Sequence, residues 1–358
     1  MAMSDLIDQP KDVREGEALD AGRVDAFLKE RLPAGQGKIA VKQFPSGFSN
    51  LTYLITIGEQ EFILRRPPFG KKAKTAHDMS REYRILSALH PVFPYCPKPL
   101  VFCDDHTIMG CDFYVMECIR GIILRKTLPD ELNMTPADVR KLCENAMNVL
   151  CDLHNIDYNA IGLGDFGKPQ GYVQRQVEGW SRRYRDARTD DAPDCEAVMA
   201  WLADNMPEER SDACIIHNDF KFDNLVLNPD NPLEIIGVFD WEMTTLGDPL
   251  MDLGSSLGYW VQADDPEEQL MIKMLPTDVP GMMTRREVVD YYRQQRGISA
   301  DDFNFYYVFG TFRLAVIAQQ IYYRFYHGQT KDERFGLLIA AVQVLERVAL
   351  RAMEKSQF

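Results

Sequence analysis

Polar residues with the chemical character of a catalytic site lie in one short loop of the sequence. In chain order they are His217, Asp219, Lys221 and Asn224. Short apolar runs rich in Ile, Val and Leu flank this loop, and such runs are typical of buried strands. The two predicted strands would present a carboxylate, an ammonium group and an amide on a rigid support.

A second carboxylate follows the next predicted strand. Asp240 lies sixteen residues after Asn224, directly after the run Ile-Ile-Gly-Val-Phe. Phosphoryl transfer needs oxygen ligands for Mg²⁺, neutralisation of phosphate charge and an acceptor for the proton of the attacking hydroxyl. Asp219 is suited to accept that proton, and Lys221 to contact the transferred phosphoryl group. Asn224 and Asp240 are suited to bind Mg²⁺.

A purely structural interpretation of the same loop is a turn rich in Asp and Asn. In that case Asp219 and Asn224 would only satisfy backbone groups. The position of Asp240 favours catalysis, because such a turn needs no second carboxylate after the next strand. The catalytic interpretation therefore depends on both segments together.

The amino-terminal third of the chain has the periodicity of a small sheet with one main helix. Turn-forming residues separate its short β-rich runs. The predicted elements are a helix at 21–32, strands at 39–44, 51–57 and 61–65, a helix at 76–89, and strands at 100–103 and 113–117. We expect the order β-β-β-α-β-β after the first short helix.

The rest of the chain is predicted to be mostly helical. Thr135 is a favourable N-cap, since Pro136 and Asp138 follow it in the first turn. The predicted helices are 135–155, 173–188, 195–205, 302–326 and 333–355, with short strands at 213–217, 224–227 and 235–239. The predicted division is a flexible arm at 1–20, a small lobe at 21–118 and a larger lobe at 119–358.

At these motifs the chain resembles the kinase-like superfamily, and within it the aminoglycoside phosphotransferase family of small-molecule kinases. The resemblance covers roughly residues 39–252. It implies an α+β, protein-kinase-like fold with two lobes: a small antiparallel-sheet N-lobe that binds nucleotide and a larger, mostly helical, catalytic C-lobe. It implies Asp219 as catalytic base, ATP as donor with GTP left open, and Mg²⁺ held by Asn224 and Asp240.

The resemblance also implies supporting roles in the C-lobe. His217 would brace the loop that carries Asp240, and Asp252 would hydrogen-bond the backbone of the catalytic loop. Asp248 belongs to the Gly-Asp-Pro segment that follows the metal loop in this family. Lys221, two residues after the base, is closer to the protein-kinase form of the loop than to the antibiotic-kinase form.

The implied nucleotide site departs from the family pattern in two places. The turn that would cover the phosphates contains only one glycine, although its backbone amides can still bind them. Its predicted cofactor-binding residues are Gly47, Phe48, Ser49 and Asn50. Arg65 stands where the family usually has lysine, with Glu82 as its predicted ion-pair partner. Arginine can bind a phosphate and a carboxylate, but it does not place one compact charge as lysine does.

The adenine edge is expected to bond the backbone of Glu117 and Ile119, where the family joins its two lobes. Backbone groups make these bonds, so the side chains carry little information. The transition from a predicted strand to Gly121 supports the placement.

Three classes of function fit these motifs to different degrees. The prediction is an ATP-dependent and Mg²⁺-dependent phosphotransferase that acts on a hydroxyl of a small molecule. A protein kinase needs a long docking segment after the metal loop, yet only seven residues separate Asp240 from Asp248. A pseudokinase that binds nucleotide is favoured by Arg65 and the short phosphate turn, but it needs no complete catalytic set.

A closer resemblance bears on the acceptor. The segments at 47–52, 64–68 and 81–83 resemble the kinase-like domains fused to certain acyl-CoA dehydrogenases. This branch implies a hydroxyacyl compound or another hydroxylated metabolite as acceptor. The carboxy-terminal helix agrees, because its mixed charges offer no acidic pocket for a polycationic antibiotic. Most aromatic residues at 303–326 are expected in the core, with the remainder lining an apolar cleft.

Composition limits the partners. A net charge of −14 and a pI near 5.0 argue against nucleic acid or an anionic membrane surface. The eight cysteines form no C-x-x-C pair, which fits a reducing compartment. The acidic amino-terminal segment lacks the character of a signal peptide, and no run approaches the roughly twenty apolar residues of a membrane span. We expect a cytoplasmic monomer or homodimer.

Overall fold

The computed structural model describes residues 6–32, 37–44, 50–69, 78–298, 302–356 and 358. The strands are β1 Ile39–Gln43, β2 Leu51–Ile57, β3 Gln60–Arg66, β4 Pro99–Cys103, β5 Phe113–Glu117, β6 Cys214–Ile216, β7 Leu225–Leu227, β8 Ile235–Val238 and β9 Thr245–Gly247. The helices are α1 Ala21–Arg31, α2 Met79–Leu89, α3 His106–Met109, α4 Pro136–His154, α5 Tyr172–Ala187, α6 Glu196–Asp204, α7 Pro249–Gly258, α8 Glu267–Met271, α9 Arg285–Arg296, α10 Asn304–Tyr326 and α11 Leu338–Glu354.

The chain forms two compact units. The first contains Met1–Ile123 and Leu225–Glu242, and the second contains Leu124–Asn224 and Met243–Phe358. The predicted division differs from these units, because it places residues 119–123 and 225–242 in the larger lobe and residues 1–20 in a separate arm. The hairpin of β7 and β8 instead joins the first unit, since Ile122 and Leu227 exchange backbone hydrogen bonds of 2.9 and 2.8 Å.

Five antiparallel strands form the sheet of the first unit, in the order β1-β2-β3-β5-β4. Gly58, with a φ of +62°, makes the tight turn between β2 and β3 that most residues would strain to form. Apolar side chains of this sheet, among them Tyr53 and Ile55, are buried in one core with Phe27 and Leu28 of α1. The predicted order of strands and main helix is confirmed.

The described part of the predicted flexible arm is bonded to this sheet. Lys11 and Gln43 exchange backbone hydrogen bonds of 2.8 Å, and the Tyr53 hydroxyl donates to the Glu17 carbonyl oxygen at 2.8 Å. Residues 6–20 therefore differ from the loose segment expected. Backbone groups make most of these bonds, which composition does not reveal.

Helices dominate the second unit, together with the short antiparallel pair β6 and β9. The start of α4 is as predicted, with a capping box between Thr135 and Asp138. Helices α7 and α9 were not predicted, although Thr284 and Glu287 form a second capping box at the start of α9. The helix predicted at 333–355 begins later, since residues 333–337 form a 3-10 turn.

Glycines allow α7 and α10 to approach closely. A Cβ on Gly310 would overlap the Gly254 carbonyl oxygen, and one on Gly258 would lie 2.7 Å from Gly310. These contacts fix the register of the two helices and, with it, the position of Tyr259 directly after α7. Within the described residues, no helix combines the length and apolar character needed to cross a membrane.

Candidate active site

The catalytic loop predicted from the sequence is held by hydrogen bonds of Asn224. Its side-chain nitrogen donates to the Asp219 carboxylate at 2.9 Å and to the Asp219 carbonyl oxygen at 2.8 Å. One amide group thereby fixes both the backbone and the side chain of Asp219. The nitrogen is occupied, so the side-chain oxygen of Asn224 is the atom suited to bind a cation.

Lys221 lies between two carboxylates. Its Nζ is 3.3 Å from Asp219 Oδ2 and 3.1 Å from Asp223 Oδ1. It also lies 5.2 Å from the centre of the Tyr259 ring. Burial alone would lower the Lys221 pKa, but Asp219, Tyr259 and Asp223 together raise it above the ordinary lysine value. Lys221 is therefore a fixed positive charge beside Asp219, and Asp223 is a partner that the sequence did not indicate.

Asp252 holds the backbone of this loop. Its two carboxylate oxygens accept the backbone N–H groups of His217 and Asn218, each at 2.7 Å. The predicted contact with the catalytic-loop backbone is therefore present. Asn218 has a φ of +65°, an uncommon conformation for which these bonds compensate.

A buried histidine, His154, completes the support and was missed in the sequence. Its Nε2 is 3.0 Å from Asp252 Oδ2 and its Nδ1 is 2.6 Å from the Tyr292 hydroxyl. Burial lowers the His154 pKa. Burial would raise the Asp252 pKa, yet the hydrogen bond from His154 and nearby charges hold it below its ordinary value. His154 and Asp252 therefore form a buried, hydrogen-bonded pair beneath the loop backbone.

The other two supporting residues have local contacts. His217 Nδ1 accepts the Asp219 N–H at 3.2 Å, and its action on the loop of Asp240 stays a prediction. Asp248 is the N-cap of α7, where it accepts the N–H of Leu250 at 2.7 Å. Burial raises the Asp248 pKa to about 6.

The first unit contains the predicted ion pair. Arg65 Nη1 on β3 lies 2.9 Å from Glu82 Oε1 on α2, and both side chains are buried. The second terminal nitrogen of Arg65 lies 3.3 Å from Asp240 Oδ1 and 3.9 Å from Glu242 Oε2. Burial raises the Glu82 pKa, which Arg65 partly offsets. The arginine fork thus connects carboxylates that one ammonium group could not span equally well.

Glu242 also binds the only described residue of the predicted phosphate turn. Asn50 donates from its side-chain nitrogen to Glu242 Oε2 at 2.8 Å. Gly47, Phe48 and Ser49, the other predicted residues of this turn, lie outside the described residues. Glu242 was missed, although its position two residues after Asp240 was a signal.

The turn that carries Asp240 is anchored on both sides. Trp241 is buried and donates from its indole to the Val238 carbonyl oxygen at 2.8 Å, while the Val238 N–H donates to the Tyr95 carbonyl oxygen at 2.7 Å. Asp240 has a φ of +66°, and its side chain remains 38% exposed. A fixed, accessible carboxylate results.

One of the backbone groups predicted to bond adenine, the N–H of Glu117, already has a partner within the protein. The Glu117 N–H donates to the Lys98 carbonyl oxygen at 2.9 Å, and the Glu117 carboxylate accepts the Lys98 N–H at 2.7 Å. Of the Glu117 backbone, only the carbonyl oxygen can therefore serve adenine. The role of Ile119 stays a prediction.

The donors available for a metal suit Mg²⁺. Asp240, in the first unit, offers an accessible carboxylate, and Asn224, in the second, offers an amide oxygen. Mg²⁺ prefers hard oxygen ligands, usually one or two carboxylates with water and phosphate oxygens. Each of these two oxygen donors, taken by itself, is of the kind that Mg²⁺ prefers.

The antiparallel sheet, the ion pair between β3 and α2, and the loop of Asp219 and Asn224 define a protein of the kinase-like fold. Solved structures agree. A candidate aminoglycoside phosphotransferase from Ralstonia eutropha JMP134 superposes with a TM-score of 0.80 at 30% identity, covering 95% of this chain and 100% of the other. Choline kinase from Cryptosporidium parvum Iowa II shares the fold, with a TM-score of 0.65 at 12% identity, covering 94% and 96% of the two chains.

The family is shown by the sequence comparison. Residues 40–280 match the model of the phosphotransferase enzyme family, and the chain belongs to this family. Acyl-CoA dehydrogenase family member 11 of Rattus norvegicus is 32% identical, over 94% of this chain and 44% of its own length. Family member 10 of Mus musculus is 35% identical, over 89% of this chain and 30% of its own length. The chain thus spans less than half of these relatives.

Replacement of Arg65 by lysine tests the arginine fork. If this site binds Mg²⁺-ATP, as the sequence predicts, Arg65→Lys should weaken that binding by about tenfold. Lysine retains one of the contacts with Glu82 and Asp240, and a charged hydrogen bond contributes about 1.5–3 kcal/mol. Calorimetric titration measures the dissociation constant. Arg66→Lys is the matched control, because Arg66 is equally buried on the same strand but bonds the Pro67 carbonyl oxygen. Unchanged or tighter binding would show that the site works as a lysine site.

Proposed function

We propose that the protein is an ATP-dependent and Mg²⁺-dependent kinase that transfers a phosphoryl group to a hydroxyl of a small molecule. The observation that supports this most is the Asp219 carboxylate, held at 2.9 Å by Asn224 and flanked at 3.3 Å by Lys221. Membership of the phosphotransferase family gives the reaction class.

Asp219 would act as general base. The acceptor oxygen forms a bond to the γ-phosphorus of ATP, the bond from that phosphorus to the bridging oxygen breaks, and ADP leaves. The hydroxyl proton passes to the Asp219 carboxylate. Lys221 is held by Asp219 and Asp223, so its charge is positioned to stabilise the transferred phosphoryl oxygens.

Asn224 and Asp240 would hold Mg²⁺, which when bound neutralises phosphate charge and orients the phosphate oxygens. Arg65 would contact the nucleotide phosphates while Glu82 fixes its orientation. Asn50, bonded to Glu242, would position the phosphate turn. Each role places a charge or a donor where phosphate oxygens need one.

The acceptor is proposed to be a hydroxyacyl compound or a related hydroxylated metabolite. Its support is the similarity to acyl-CoA dehydrogenase family members 10 and 11 over most of this chain. The surface near α11 also disfavours a polycation, because Glu268 is neutralised by Arg347 at 2.6 Å and Arg351 at 2.7 Å. A cytoplasmic location and a monomeric or homodimeric state are proposed from composition alone.

An acceptor panel tests the preference. Initial rates of ADP release with hydroxyacyl-CoA thioesters, free hydroxy acids and kanamycin should give a kcat/KM at least about tenfold higher for a hydroxyacyl compound than for the antibiotic. A higher value for kanamycin would overturn the preference. ATP binding without ADP release for any acceptor would indicate a pseudokinase.

A further inference from the structure

One buried cation of the second unit has no acidic partner among the described residues. Arg313 on α10 is only 4% exposed, and its guanidinium group lies over the Trp180 ring at 5.1 Å. Among the described residues of this unit, the other buried arginine, Arg285, is paired with Asp265 at 2.6 Å, and the partly buried Lys221 is paired with Asp219. A buried charge without a counter-ion is unfavourable.

A second cation contacts the same aromatic ring. Arg183 lies over Trp180 at 4.7 Å. Burial, and then the charges of Arg182 and Arg313, lower the Arg183 pKa. The cluster is therefore locally positive in a chain whose net charge is −14. Contact with an aromatic face attracts a cation, but it does not neutralise the charge.

Helix packing relates the position of Arg313 on α10 to the end of α7. Gly258 at the end of α7 packs against Gly310, and Arg313 follows Gly310 by about one turn of α10. Tyr259, directly after Gly258, lies 5.2 Å from Lys221 Nζ. Tyr259 thus follows the end of α7 that packs against the turn of α10 before Arg313, and its ring lies beside Lys221.

The electrostatic environment of two tyrosines agrees with this placement. Burial and then Asp219 raise the Tyr259 pKa, which Lys221 and Arg313 oppose. Burial also raises the pKa of Tyr172, with Arg313 the largest opposing influence. The Tyr172 hydroxyl donates to Asn218 Oδ1 in the catalytic loop at 3.1 Å. The charge of Arg313 thus acts on two buried tyrosines, one of which is hydrogen-bonded to the catalytic loop.

We propose that Arg313 binds an anionic group of the phosphate acceptor. The acceptor class is then a hydroxylated compound that carries a carboxylate or a phosphate, such as a free hydroxy acid or a hydroxyacyl-CoA thioester. The inference rests on the proposed function, which it narrows. An aminoglycoside would instead bring ammonium groups towards Arg313, which like charge disfavours.

Equilibrium binding tests the role without requiring turnover. The probes are 3-hydroxybutyrate, its neutral amide, 3-hydroxybutyryl-CoA and coenzyme A, each titrated against wild type, Arg313→Gln and Arg313→Lys. Wild type should bind at least one anionic probe at least about tenfold more tightly than the amide. Arg313→Gln should lose this preference, and Arg313→Lys should retain most of it.

The four probes distinguish the two possible anionic groups, a carboxylate and the phosphates of coenzyme A. If 3-hydroxybutyrate binds more tightly than its amide, Arg313 binds the carboxylate. If coenzyme A and its thioester both bind, Arg313 binds the phosphates of coenzyme A. Arg182→Gln is the matched control, since it removes an exposed charge from the same cluster and should leave the preference unchanged. Thermal unfolding of each variant shows whether it is folded, and Arg313→Met replaces Arg313→Gln if the latter is not.

Two results would overturn the inference. Either no anionic probe binds wild type more tightly than the amide, or a folded neutral variant keeps the full preference. A different result would contradict the proposed function alone. In that case the anionic probes bind in a way that depends on Arg313, but no phosphate is transferred to any hydroxyl. If phosphate were transferred to kanamycin or to the amide at full efficiency, the protein would be a kinase, but its acceptor would not be an anionic compound.

Discussion

Asp219→Asn should lower kcat by about 10²–10⁴-fold, the usual contribution of a positioned general base. Asparagine retains the size of the side chain and an oxygen that can accept the hydrogen bond from Asn224. It cannot accept the proton of the acceptor hydroxyl. ATP binding should change little, because the proposed phosphate and metal contacts lie on other residues. Steady-state kinetics and an ATP titration measure the two quantities.

The control for this variant is Asp230→Asn, which makes the same change at an exposed loop position. It should leave both quantities unchanged. If Asp219→Asn retained kcat within a few-fold of wild type, another residue would be the base. If it lost ATP binding as well as turnover, Asp219 would act in nucleotide binding and not in proton transfer.

Asp252→Ala should cause the largest loss of stability, about 3–5 kcal/mol, as is usual when one partner of a buried polar pair is removed. The substitution leaves the N–H groups of His217 and Asn218 without their acceptor, and leaves His154 without its carboxylate. Urea-induced unfolding followed by circular dichroism measures the free energy of unfolding.

Asp248→Ala is the matched control for stability. Asp248 is a buried aspartate directly before α7 and is the N-cap of that helix. Its replacement should therefore lower the free energy of unfolding by only about 0.5–2 kcal/mol. A free energy of unfolding for Asp252→Ala no lower than that of Asp248→Ala would show that the catalytic loop is held by other contacts.

Local patterns were sufficient to predict most of the first unit. Alternating apolar residues and turn-forming residues gave the strands and their order along the chain. The pairing of β3 with β5 was not predicted, because it joins residues about 50 positions apart, such as Arg65 and Tyr114. Helix α7 was missed because Gly and Ser at four of its ten positions obscure helical periodicity. These small residues are present for packing against α10, and that contact involves residues about 50 positions away.

Residues of the site were predictable where the chain has a motif of the family. The ion pair of Arg65 and Glu82 was implied by the resemblance to the kinase family, and it is present. His154 was not predictable, since its partner Asp252 lies 98 residues later and neither neighbourhood contains a motif for the other. Arg313 was likewise not predicted as a site residue, because it lies in an aromatic-rich segment that is typical of a buried core helix.

The most direct measurement is the destination of the γ-phosphoryl group of ATP. With Mg²⁺, ATP labelled at this group and a hydroxyacyl acceptor, wild type should form one labelled phosphomonoester for each ADP released, and Asp219→Asn should form almost none. Label that appears only as inorganic phosphate with every acceptor, or equal product from both proteins, would contradict a kinase that uses Asp219 as its base.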